Sequence, residues 1–271
     1  MKMVLQNNGK RLSHIGLDVD GVIRDTSQLI TMATKVALKN FGIFHEMDPH
    51  EEGRIRGLSG YGTGVSALKA LVAIHRSGVS PTTVLRDDQQ MLLGRLIKET
   101  IQPREEELFN KSSKEWRCIF DSENAWSMVV PIPRSVESIR LLKSAGYMLS
   151  AVSSSTGISV KRDLRKFGIF EDIDVVISKE DVTKRKPDPE GILVAAEMVM
   201  SDPEEMAYVG DREEDIQAAK AAGVGTSVAV LSGQGERTRL LSAKPTYLFP
   251  DLYEFTVAFC LKQEQEAIES S

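Results

Sequence analysis

The chain has 271 residues, 41% of them hydrophobic, which suits one large α/β domain or a domain carrying an inserted second one. Thirty-four basic residues stand against 39 acidic ones, a formal charge of −5 that speaks against a nucleic-acid surface and against a polybasic membrane contact. No apolar run approaches the roughly 20 residues that cross a bilayer, and the first ten residues are too polar for a secretory signal, so the expectation is a cytoplasmic protein.

Cys118 and Cys260, each beside apolar residues, read as buried, reduced thiols rather than a disulfide or a zinc site. The four histidines show no metal-ligand spacing.

Residues 1–12 read as a loose arm or as a small hairpin turning at Asn8-Gly9. The stretch from His14 to Ile23 reads as a short apolar strand ending in Asp18 and Asp20, with Gly21 turning the chain sharply. Helical spacing of Ile30, Ala33, Ala37 and Phe41 predicts a helix stopped at Gly42. A glycine-bearing loop is expected from Arg54 to Gly64, then a helix through Val65, Leu68 and Leu71 to Gly78. Ser80-Pro81 starts a further helix that is expected to run through Leu92 and Leu96 towards Ile101. The segment from Arg104 to Phe120 closes a stretch, about 25 to 126, that looks entirely helical.

From Pro131 the texture alternates between helix and strand, which argues for a parallel sheet covered on both faces. Helices marked by Val136 to Leu142, Val160 to Phe167, Ile192 to Val199 and Ile216 to Ala222 alternate with strands at 147–152, 174–177, 206–209 and 227–230. Tyr247 to Phe249 and a helix around Leu252, Phe255 and Phe259 end the pattern, with no internal repeat.

Side chains alternate along a strand, so Asp18 and Asp20 aim at one point beyond its end, where ligands of open parallel sheets bind. Two acids at one point need a cation or a shared proton, although the same residues also suit a turn. Three more polar clusters follow strands. Ser153, with Ser154 and Ser155, offers hydroxyls to an anionic oxygen or simply turns the chain. Lys186 lies in a Pro-stiffened basic loop that either neutralises a phosphate or is a solvated loop. Asp211 and Asp215 sit at a strand end and one turn into a helix, a position that also favours acids through the helix dipole.

Taken in chain order, Asp18-Val19-Asp20-Gly21-Val22, Ser153, Lys186-Pro187-Asp188-Pro189 and Gly210-Asp211 with Asp215 resemble the motifs of the haloacid dehalogenase-like hydrolases. The resemblance covers nearly the whole chain. The helical segment after the first motif is similar to the cap of the phosphoglycolate phosphatase and β-phosphoglucomutase branch.

The resemblance implies a Rossmann-like parallel core over 1–24 and 127–271, with an inserted all-helical cap over 25–126. It implies Asp18 as nucleophile forming an aspartyl-phosphate and Asp20 as general acid and base. It further implies magnesium held by Asp18, the Asp20 carbonyl and Asp211, with Asp215 supporting the metal shell or Lys186, and with Ser153 or Ser154 and Lys186 on the phosphate. Arg56, and after it Arg54 and Tyr61, are expected to touch the substrate from the cap. Arg24 is expected to contact substrate or cap, or to be an ordinary surface arginine.

The expected activity is a magnesium-dependent phosphatase of a small phosphomonoester, a sugar phosphate or a phosphoglycolate-like acid, with a phosphomutase or a non-catalytic scaffold of the same fold as alternatives. Dehalogenases of this fold lack the second acid, so Asp20 points away from that chemistry.

Overall fold

The computed structural model describes residues 12–44, 48–58, 60–62, 64–85 and 90–259, so the expected hairpin at Asn8-Gly9 and the Cys260 thiol lie outside the described residues. The chain divides after Asp25 and after Val129 into two compact units, one built from the segments flanking the insertion and one from the insertion itself.

The first unit is organised on six parallel strands. These are β1 (His14–Leu17), β4 (Met148–Val152), β5 (Val175–Ile177), β6 (Met206–Gly210), β7 (Thr226–Val230) and β8 (Tyr247–Phe249). Their order across the sheet is β5-β4-β1-β6-β7-β8. The first strand therefore lies inside the sheet, in register with Met148 to Ala151 on one side and Met206 to Val209 on the other. All four residues of β1 and all five of β6 are buried, as expected of strands covered on both faces.

Alternation separates the two covers. Ile15, Leu17, Ala207 and Val209 pack with Ile139 and Leu142 of α7 (Ser135–Ser144), Leu164 of α8 (Gly157–Lys166), and Phe255 of a last helix over 252–259. Met206 and Tyr208 face the other way, towards Ile192 and Ala195 of α9 (Glu190–Met198) and Ala218 of α10 (Glu213–Ala221).

After β5 and β4 have filled one side of β1, the chain crosses to fill the other with β6, β7 and β8. That reversal opens a crevice at the carboxyl ends of the central strands. Two short elements were not foreseen from the sequence. A two-residue antiparallel pair, β2 (Arg24–Asp25) and β3 (Val130–Pro131), joins the two ends of the insertion, and α11 (Arg237–Ser242) precedes β8.

In the second unit the described elements are helical: α1 (Ser27–Lys39), α2 (Pro49–Arg56), α3 (Gly64–Ser77), α4 (Pro81–Val84), α5 (Gln90–Thr100) and α6 (Glu106–Phe120), with 3-10 turns at Pro103–Glu105 and Glu123–Met128. Ala37, Leu68, Leu71, Leu93 and Phe109 form its core, with Phe41 packed on Phe109 at 4.4 Å between ring centres.

Three expectations are corrected here. The helix from Pro81 does not run through to Ile101: α4 closes at Val84, where the Leu85 N–H returns to the Pro81 carbonyl, and α5 begins separately at Gln90. Arg54 to Arg56 is the last turn of α2 and not part of a glycine-bearing loop. Cys118 is exposed, because it falls on the polar side of α6, away from buried Phe109 and Phe120. No helix among the described residues is long and apolar enough to cross a membrane.

Candidate active site

The ends of β1, β4 and β6 deliver their next residues, Asp18, Ser153 and Asp211, to one edge of the sheet. The Asp18 backbone is pinned when its N–H donates to the Val209 carbonyl at 2.8 Å. The Ser153 N–H likewise donates to the Ile177 carbonyl at 2.8 Å, so the edge is tied across neighbouring strands. Asp215 is buried on the first turn of α10, where it accepts from the Arg212 N–H at 3.0 Å and stabilises the helix start.

Lys186 reaches into this edge from the loop before α9. Its Nζ lies 2.6 Å from Asp18 Oδ1, 2.5 Å from Asp215 Oδ1, and 3.2 Å from the hydroxyl of buried Tyr208. Burial alone would lower the Lys186 pKa, but Asp18 and Asp215 more than offset it and hold the ammonium well above its usual range.

The acids are crowded. Carboxylate oxygens of Asp18, Asp211 and Asp215 lie within 4.8 Å of one another, and all three residues are buried. Burial pushes the Asp18 carboxyl up against the pull of Lys186, with Asp215 and Asp20 adding to the rise. Asp211 is also pushed well up, by burial first and then by Asp215 and Asp18.

Asp211 Oδ2 accepts from the Gln234 N–H at 2.8 Å, whereas Asp211 Oδ1 is buried with no hydrogen-bond partner among the described residues. An orphaned carboxylate oxygen inside a cluster of acids fits a hard divalent cation, which takes oxygen ligands and relieves the repulsion. The wall behind it is glycine: a Cβ at Gly233 would stand 2.0 Å from Asp211 Oδ2, and one at Gly21, whose φ is +82°, 2.5 Å from the same atom. Only glycine lets both loops close on the acid.

Asp20 stands at the rim, its side chain about a third exposed, accepting from Ser155 Oγ at 2.8 Å. Ser155 in turn donates its N–H to Ser153 Oγ at 3.0 Å. Ser153 is buried and Ser154 half-buried; both line a cleft shared with Lys184, Arg185 and Lys186.

Arg24 corrects an expectation. It is neither a surface arginine nor a group open to a ligand: it is fully buried on β2, donating Nε to Asp20 Oδ1 at 2.9 Å, Nη2 to Asp20 Oδ2 at 3.1 Å, and Nη1 to Asp163 Oδ2 at 2.5 Å. Burial alone would lower its pKa; Asp20 and Asp163 reverse this and hold it above the ordinary value.

The three residues expected to reach the substrate belong to the helical unit. Arg56 is 3% exposed and engaged there: its Nε donates to Glu52 Oε1 at 2.9 Å, its Nη2 donates to Thr34 Oγ1 at 2.7 Å, and its guanidinium lies 5.3 Å from the Trp116 ring centre. A side chain so engaged is an internal ion pair of that unit, which corrects its placement on an open substrate loop. Arg54 is half-buried on α2, and Tyr61 packs against the core of the same unit.

Sequence reasoning missed Tyr208, Gln234 and Asp163, and did not foresee that Ser155 bonds Asp20. Asp163 left a signal: it falls three residues after Val160 and next to Leu164, so a charge stood on the buried stripe of α8.

A six-stranded parallel sheet whose central strand ends in an acid, with a lysine and two further acids gathered round it, defines the class of protein. The chain belongs to the haloacid dehalogenase-like hydrolase family, whose sequence model matches residues 15–230. Among similar proteins are the pyrophosphatase PpaX of Bacillus velezensis, 26% identical over 88% of this chain and 92% of the relative, and a phosphoglycolate phosphatase of Escherichia coli, 25% identical over 96% and 97%. A crystal structure described as a predicted phosphoglycolate phosphatase from Haemophilus somnus shares the fold, with a TM-score of 0.71 at 20% identity, covering 95% of this chain and all of that one.

Proposed function

We propose that this hydrolase is a phosphatase of small phosphorylated metabolites, with Asp18 as nucleophile and Asp20 as general acid and base. The observation that carries the reading is the convergence of Lys186 on Asp18 and Asp215 beside the orphaned oxygen of Asp211, all at the carboxyl ends of central strands.

In the first step a carboxylate oxygen of Asp18 forms a bond to phosphorus while the bond to the leaving oxygen breaks. That oxygen takes a proton from Asp20. In the second, water attacks the phosphorus of the aspartyl-phosphate, gives its proton to Asp20, and restores Asp18 with release of phosphate. Lys186 and the Ser153 and Ser154 hydroxyls hold the non-bridging oxygens, and Asp215 keeps Lys186 in place. Such transfer needs mainly positioning and charge neutralisation.

Asp18, Asp211 and the backbone carbonyl of Asp20 would hold magnesium, with Asp215 in support. When bound, the cation neutralises negative charge and so eases the approach of an anionic phosphoryl group to a carboxylate. In the same reading the helical unit is the cap that selects the substrate.

The test is phosphate release from a panel of phosphoesters with magnesium. Phosphoglycolate and pyrophosphate head the panel because similar proteins carry those names. The parent is expected to turn over p-nitrophenyl phosphate or acetyl phosphate, and Asp18→Asn to lose at least about 1,000-fold in kcat, as removal of a covalent nucleophile does. Undiminished turnover by Asp18→Asn would remove the nucleophile assignment, and exchange between hexose phosphate isomers without release of phosphate would mark a mutase.

A further inference from the structure

We propose that Arg24, anchored by Asp163, is a positioning residue that fixes the plane and direction of the Asp20 carboxyl for proton transfer. The inference rests on the reading of Asp20 as general acid and base, and adds two residues that this reading does not contain.

A buried guanidinium needs only enough negative charge to be compensated. Asp163, 1% exposed and 2.5 Å from Nη1, shares its one charge between Arg24 and Arg162, so Asp20 completes the compensation. Charge alone sets no orientation, yet Arg24 presents its Nε and Nη2 edge to both oxygens of Asp20, whose side chain is 34% exposed. A two-pronged bond from a planar guanidinium fixes a carboxylate in orientation as well as position, which a lysine or a single hydrogen bond cannot do.

The anchor is itself held. Arg162 bonds Asp163 through Nε at 2.7 Å and Nη2 at 3.1 Å, so Asp163 does not swing to follow Arg24. Ser155 Oγ bonds Asp20 Oδ2 from another loop at 2.8 Å. The carboxyl is thus clamped from its buried side while about a third of the side chain stays exposed. Proton transfer falls steeply with misplacement of about 1 Å, so such a clamp contributes to rate without touching substrate.

A positioning role and a merely structural one differ in leaving-group dependence. Expulsion of a weakly basic leaving group, such as p-nitrophenolate or acetate, needs little proton donation, whereas expulsion of an alkoxide needs it fully. The experiment measures kcat/KM, which reports the step that expels the leaving group, for alkyl, aryl and acyl phosphates with the parent, Arg24→Met and Asp163→Asn. Met fills similar space, and Asp163 keeps Arg162 as its partner.

The expected result for Arg24→Met is a loss of about 10- to 100-fold on alkyl phosphates and less than about 3-fold on p-nitrophenyl phosphate. Asp163→Asn is expected to show the same selectivity with a smaller loss. In an Asp20→Asn background, Arg24→Met is expected to change the leaving-group dependence no further, because the two substitutions remove one device.

A uniform loss across leaving groups, no change, or a gain on alkyl phosphates overturns the inference while leaving the phosphatase reading intact. A parent inactive on every phosphoester overturns that reading itself. Should Arg24→Met fail to fold by circular dichroism, the Asp163→Asn series decides, since Asn keeps the shape and an acceptor oxygen.

Discussion

His14 opens β1 at the end of the strand opposite the carboxylates, fully buried, with Nε2 2.8 Å from Ser150 Oγ and Nδ1 without a hydrogen-bond partner among the described residues. Burial holds its pKa down to about 4 from an ordinary 6.5, with Asp174 opposing. The folded protein therefore keeps His14 neutral where the unfolded chain takes up a proton. Stability rises with pH wherever the unfolded state binds more protons, so this group costs nothing above the unfolded value, and the cost grows as pH falls from about 6.5 towards 4. Between about pH 7.5 and pH 5 the loss amounts to roughly 2 kcal/mol. Urea unfolding of the parent and of His14→Gln at both pH values should show the parent losing about that much more than the variant. Equal losses in the two proteins would remove the assignment. Nothing in the sequence marked this histidine, because an isolated His on an apolar strand has no pattern. The acids at the other end of the strand were legible because, with Ser153, Lys186 and Asp211, they follow a family's motifs in a fixed chain order.

Helix ends show why some elements were easier to place than others. The helices α7, α8 and α10 are each followed by a left-handed glycine, Gly146, Gly168 and Gly223, the residue type that most readily marks a stop. The helix α9 ends in the same geometry with a different residue. The Ser201 N–H donates to the Ala196 carbonyl at 2.9 Å and the Met200 N–H to the Glu197 carbonyl at 3.0 Å, while Met200 takes φ +53° and is 93% exposed. A side chain in that conformation costs about 1–2 kcal/mol and gains no burial here. Met200→Gly is therefore expected to raise stability by roughly 0.5–1 kcal/mol, after the larger entropy of glycine in the unfolded chain is subtracted. A thermal midpoint higher by about 2 °C in calorimetry is the corresponding shift; an unchanged or lower midpoint would count against the strain. The pair β2 and β3 was invisible for the opposite reason. Two residues per strand carry no periodicity, and Arg24 beside apolar Val22 and Ile23 gives no sign of the acids that surround it in the fold.

At the scale of the whole molecule, the sheet order explains both what the sequence revealed and what it concealed. Alternating helices and strands announced a parallel sheet, but the central place of β1, and hence the meeting of Asp18 with Asp211 and Lys186, comes from pairings between residues almost 200 positions apart. Folding brings Asp18, Asp211 and Asp215 into one buried cluster that Lys186 and Arg212 offset only in part, since Asp211 is still pushed well up, so without a cation the site works against the fold. Burial, Asp215 and Asp18 all disfavour the ionised form of Asp211, and an amide at this position resembles the neutral acid. In chelator at neutral pH, Asp211→Asn is therefore expected to be at least as stable as the parent. Magnesium should reverse that order. A ligand bound only by the folded state at about 100 times its dissociation constant stabilises by about 2.7 kcal/mol. For a chain of this size that is about 5 °C in thermal midpoint. On the proposed assignment of Asp211 to the cation, the parent should gain this and Asp211→Asn only a small part of it. Thermal scans of both proteins in chelator and in excess magnesium make the comparison without any substrate, so the metal site is tested apart from the activity. An equal magnesium shift in parent and variant would place the cation elsewhere.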